Sequence, residues 1–68
     1  MKTIANAHAP LLPEEAIFLS RLAYREGIAA AASGDVERAL EAFYQALEYD
    51  PANRDAENAF AELVRQLT

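Results

Sequence analysis

Sixty-eight residues make one small domain, of a size at which a single hydrophobic core leaves only about 3 to 5 kcal/mol of net stability. The chain has no cysteine and a single histidine, His8, so disulfides are excluded, a zinc site is unsupported and no cofactor is expected. Six basic residues against eleven acidic ones give a net charge of −5, which argues against nucleic acid or an anionic membrane as partner and favours a neutral or basic protein surface.

The first residues, Met1 to His8, contain no apolar run of signal-peptide length, and no later stretch reaches transmembrane length. The expected location is therefore cytoplasmic. Residues 1–10 show neither a helical nor a strand period and close on Pro10. With Leu11 and Leu12 they read as a flexible arm, 1–12, ahead of one helical domain at 13–68.

A first helix is expected over 13–33. Pro13 suits the first helical position, where its missing N–H costs nothing, and Glu14 and Glu15 complement the positive end of the helix dipole. Near-continuous helix formers then run to the Ala29–Ala32 stretch, and Gly34 stops them by taking a left-handed conformation. Asp35 can cap a second helix, 36–49, whose Ala39, Leu40, Phe43, Ala46 and Leu47 recur at three and four on one face. Asp50-Pro51 ends it. Asn53 caps a third helix, 53–67, with Ala56, Phe60, Leu63, Val64 and Leu67 on its apolar side. No strand signal appears. The two short links imply an all-α, antiparallel three-helix stack.

A self-similarity at thirty-four residues places Gly27 on Ala61, a small residue twice in one helical slot. Residues 20–53, with Gly27, Gly34-Asp35, Ala39-Leu40-Glu41-Ala42-Phe43, Ala46-Leu47 and Asp50-Pro51, resemble one complete tetratricopeptide repeat. Residues 54–67 look like the first helix of a following repeat, used as a C-terminal cap. The chain departs from the pattern at Ala23, where tryptophan is usual, at Glu26, where leucine is usual, and at Ala30, where tyrosine is usual. The core is lighter than the family's, and Glu26 faces solvent or a partner. Independently of the resemblance, Gly27 and Ala30 lack bulk, so Ala39, Phe43 and Ala46 can pack against them at close range.

Catalytic signatures are missing. Glu37 and Glu41, one turn apart, read as a solvated acidic stripe rather than an acid/base pair, and Ser20 and Ser33 have no neighbouring base in the sequence. His8 receives no role. Arg21 and Arg25, four apart, could form a small anion site and read more simply as surface charges. Leu11, Leu12, Ile17, Phe18 and Leu19 circle the helix instead of forming one stripe, which marks either an oligomer interface or a face covered by the arm and the third helix.

The resemblance implies a non-catalytic protein-interaction module, not an enzyme, that binds a peptide or helix of a partner protein. By residue matching its groove carries Arg21, Tyr24, Ile28 and Ala31 from the first helix and Asp55, Asn58, Glu62 and Arg65 from the third. The spacing of Arg21, Tyr24, Ile28 and Ala31 also places them on one helical face. Relatives that clamp a C-terminal carboxylate use lysine and asparagine where this chain has Tyr24 and Ile28, so an apolar anchor is expected, with Glu62 and Arg65 pairing with charges at its rim. The alternative is a homo-oligomer or an obligate small assembly-chaperone subunit that uses Leu12, Ile17, Phe18 and Leu19 as its interface.

Overall fold

The computed structural model describes residues 11–68. Most of the expected arm, His8 included, lies outside the described residues. Three helices follow one another: α1 (Pro13–Ala32), α2 (Val36–Tyr49) and α3 (Arg54–Leu67). Among the described residues there is no strand, and no helix is long and apolar enough to cross a membrane.

Local chemistry sets each boundary. Pro13 begins α1 next to Leu12, whose backbone is extended, and the Glu15 carboxylate accepts the Leu12 N–H at 3.1 Å, which satisfies one donor at the helix start. At the other end Ser33 is the cap rather than the last helical residue. Gly34 has φ +84°, its N–H donates to the Ala31 carbonyl at 3.1 Å, and the Asp35 N–H donates to the Ala30 carbonyl at 2.9 Å. That pair of bonds is the Schellman arrangement, which needs a left-handed residue and so favours glycine. Asp35 then accepts the Arg38 N–H at 3.2 Å, and Asn53 accepts the Ala56 N–H at 3.0 Å. Asn53 is the cap, as its residue type indicates, so α3 proper begins at Arg54 rather than at 53.

The α1–α2 seam is built from small residues. Ser20, Ala23, Gly27 and Ala30 are the buried positions of α1, and Ala39, Ala42, Phe43 and Ala46 those of α2. Their three- and four-residue steps form one stripe on each helix. A Cβ on Gly27 would stand 3.0 Å from Cζ of Phe43 and closer still to Cδ1 and Cε1. The glycine is therefore the slot that admits the largest fully buried side chain of the core.

Packing is divided in a way the sequence did not indicate. Phe43 gathers with Ala30 and Ala39, while Ala46 meets Ala23 and Ala56. The expectation that Ala46 packs beside Gly27 and Ala30 is thus corrected: the crossing of α1 and α2 carries Ala46 down to Ala23, and α3 closes that layer with Ala56.

α3 is held mainly by α2 and barely meets α1. Its sole fully buried residue is Ala56, with Ala59, Phe60 and Leu63 half-buried against the Phe43 layer. Phe60 also lies near Tyr44, ring centroids 6.5 Å apart. Glu57, Ala61 and Val64, which correspond at thirty-four residues to the buried Ala23, Gly27 and Ala30, are all exposed. The repeated slot is filled once, under α2, and bare the second time.

Candidate functional site

One buried polar junction joins all three helical segments. The Ser20 hydroxyl is fully buried and donates to the Ala46 carbonyl at 2.7 Å, and the Asn53 side-chain amide donates to the Ser20 oxygen at 2.8 Å. Asn53 therefore works twice: Oδ1 caps α3 and Nδ2 ties that cap to α1. No buried side-chain polar atom of the described residues lacks a partner, so the junction carries no unsatisfied group. No catalytic role for Ser20 is legible in the sequence, since it has no neighbouring base there. Its signal was position, since 20, 23, 27 and 30 continue the small-residue stripe, and a serine there fits a helix crossing that has room for one short side chain.

The junction fixes how α3 leans on the α1–α2 pair, and two concavities open on the α1–α3 side. The larger, of about 500 Å³, is lined by Ile17, Arg21, Tyr24 and Arg25 of α1, by Asp50, Ala52 and Asn53 of the link, and by Arg54 and Asp55 of α3. The smaller, of about 190 Å³, lies between Ile28 and Ala31 of α1, Phe43 of α2, and Ala59, Glu62, Leu63 and Gln66 of α3.

The expected groove residues are divided between them. Arg21, Tyr24 and Asp55 meet in the first, and Ile28, Ala31 and Glu62 in the second. Asn58 and Arg65 are exposed. They fall about 160° to 180° around α3 from Ala56, at roughly 100° per residue, so they point away from the packed face. Ala59, Leu63 and Gln66 take their place because α3 turns Ala56, Phe60 and Leu63 onto α2, which leaves the 59–62–66 edge facing α1. Residue matching alone did not contain that rotation.

Tyr24 packs internally as well as lining the first concavity. Its ring lies 5.9 Å from that of Phe43, tilted by 39°, and it is half-buried against both core layers. It is as much a core residue as a surface one, so replacing it tests stability as well as binding. Ile28 is the freer apolar side chain, 45% exposed.

Glu62, in the lining of the smaller concavity, pairs with the exposed Arg65 across one turn of α3. The hydrogen bond and charge of Arg65 hold the Glu62 carboxyl below its ordinary value. The expectation that both pair with an incoming ligand meets a pre-formed partner in each case.

The apolar cluster at the start of α1 is exposed at Leu11, Leu12, Ile17 and Phe18, with Leu19 half-buried. Phe18 is 61% exposed. It shares with Leu22 the side of α1 opposite the Ser20–Ala23–Gly27–Ala30 stripe, whereas Ile17 lies on the Tyr24 and Ile28 side. Two apolar faces therefore leave α1 in different directions. Comparison with protein families, curated proteins and solved structures finds no match for the chain. It stands as a small all-α domain of three helices with no family identified.

Proposed function

We propose that the chain is a non-catalytic protein-binding module of the tetratricopeptide type, which takes an apolar side chain of a partner peptide between α1 and α3. The observation that carries this is the smaller concavity, where Ile28, Ala31, Ala59 and Leu63 present apolar surface and the buried Phe43 completes the lining from α2. At about 190 Å³ it is below the roughly 300 to 1,000 Å³ of small-molecule sites, and it suits one anchoring side chain better than a metabolite. Glu62 and Gln66 at its edge give a polar rim around an apolar centre.

The test is selection of binders from a random peptide library on the purified chain, followed by affinity measurement with Ile28→Asp. Selected peptides should carry a large apolar residue, and the variant should bind them about five-fold or more weaker, which is about 1 kcal/mol, with its helical circular dichroism unchanged. Equal affinity in the variant sinks this placement.

A second reading is favoured by Phe18 and Leu22, 61% and 41% exposed on the face of α1 that no described helix covers. Self-association, or attachment as a small subunit, would bury them at roughly 1.5 to 3 kcal/mol per side chain. Sedimentation across concentration distinguishes the two readings. A dimer that Phe18→Asp dissolves supports the second, and a monomer at all concentrations leaves the peptide groove alone.

A further inference from the structure

Three of the chain's six basic side chains line a single concavity. Arg21 and Arg25 reach it from successive turns of α1, and Arg54 from the first residue of α3. Two carboxylates, Asp50 and Asp55, share the lining, yet no carboxylate comes within 4.0 Å of any of the three arginines; among the described residues the ion pair is Arg65 with Glu62. One oxygen of Asp50 is engaged by the Ala52 N–H at 3.0 Å. Among the described residues the three guanidinium groups have no hydrogen-bond or ion-pair partner, and Ile17 and Tyr24 add apolar surface beside them. A planar fork of donors beside apolar surface is suited to a carboxylate carried on a peptide.

We propose that this concavity seats an aspartate or glutamate side chain of the same partner peptide whose apolar residue occupies the Ile28 seat. The proposal rests on the groove reading above and adds the second contact point. Arg21 and Arg25 are centred about six to seven residues before Ile28 and Ala31, which is roughly 10 Å along the helix at 1.5 Å per residue. An extended peptide covers that in about three residues at roughly 3.3 Å each, and a helical one in about seven. The ligand is then an acidic residue and a large apolar residue about three apart in an extended segment, or about seven apart in a helix. This reverses locally what the net charge of −5 suggests globally. Overall charge governs approach over distance, whereas the groups lining the contact govern what is held there.

The experiment is the same random-peptide selection, run in parallel on the wild-type chain and on the triple variant Arg21→Gln, Arg25→Gln, Arg54→Gln. These side chains are exposed and make no hydrogen bond or ion pair within the described residues, so the variant should fold, as circular dichroism will show. Wild-type binders should be enriched in Asp or Glu at the stated spacing from the apolar residue. The triple variant should bind the best acidic peptide about five-fold or more weaker, while the same peptide with its acid changed to Gln binds both proteins alike. Salt should weaken the acidic peptide and spare the Gln peptide. Apolar enrichment without acid preference, or an acid preference that survives in the triple variant, overturns the arginine seat and leaves the groove standing. No enrichment on either protein overturns both.

Discussion

The α1–α2 seam and the attachment of α3 solve the same packing problem with different materials. In the seam, alanine faces alanine, and one phenylalanine ring sits where a glycine has no side chain. On α3 a single alanine is fully buried, the larger apolar residues are only half-covered, and a hydroxyl–amide junction supplies the tie to α1. Close packing fills the centre of the α1–α2 seam and leaves a shallow concavity at its turn end, lined by Glu26, Ala29, Ala30, Ser33 and Arg38, whereas α3, held at α2 and at Asn53, leaves an open edge toward α1. Both concavities that involve α3 lie along that lightly packed edge.

The sharpest way to break the comparison is at its most concentrated point. Phe43→Ala should cost about 3 to 5 kcal/mol, comparable to the whole stability of a domain this small, and urea titration should find no cooperative transition. Retention of a steep transition would mean that the alanine layers hold the seam without the ring. Gly27→Leu attacks the same contact from the other side and should cost about 1 to 3 kcal/mol by overfilling; an unchanged thermal midpoint would show that the ring has space to move away.

On the α3 side, Asn53→Ala removes a helix cap and the tie to Ser20 together and should cost about 1 to 2 kcal/mol. Hydrogen exchange should speed up in α3 before it does in α1 and α2, because local opening follows the lighter packing. Uniform acceleration across all three helices would mean that the two regions form one cooperative unit. Ser20→Ala is the milder companion, since the Ala46 carbonyl keeps the Asp50 N–H at 3.0 Å.

The smallest effect belongs to the exposed Glu62–Arg65 pair. A carboxyl held below its ordinary value contributes stability above the unfolded-state pKa and loses it as pH falls through the folded one. With both side chains in solvent the contribution is slight. The change to look for is spectroscopic: in Arg65→Gln the Glu62 midpoint, followed by NMR, should rise toward the ordinary carboxylate value. An unmoved midpoint would show that Arg65 does not govern it.

Much of the fold was legible because its signals are local. Pro13, Gly34, Asp35 and Asn53 each satisfy or release backbone groups within a few residues, so helix number and boundaries follow from neighbours in sequence. The Gly27–Phe43 contact was legible too, since a glycine inside a helix costs stability unless something needs the space. Less could be read of the surface. Arg21 and Arg25 were visible as a pair, but Arg54 joins them only through the lean of α3. Tyr24 looked like a surface anchor and proved half-buried against Phe43, because a face defined by three- and four-residue steps does not say how far the neighbouring helix reaches around it.

The sequence by itself thus determined three helices, their caps and the small-residue stripe that lets two of them touch. These depend on backbone hydrogen bonding and side-chain volume along one segment. The tertiary structure alone decided the rotation of α3 about its axis, the use of Ser20 as a junction and the lining of the smaller concavity by Ala59, Leu63 and Gln66, with Asn58 and Arg65 outside it. Those depend on where residues from separate helices meet, and a periodic pattern on one helix contains no term for the angle at which another crosses it.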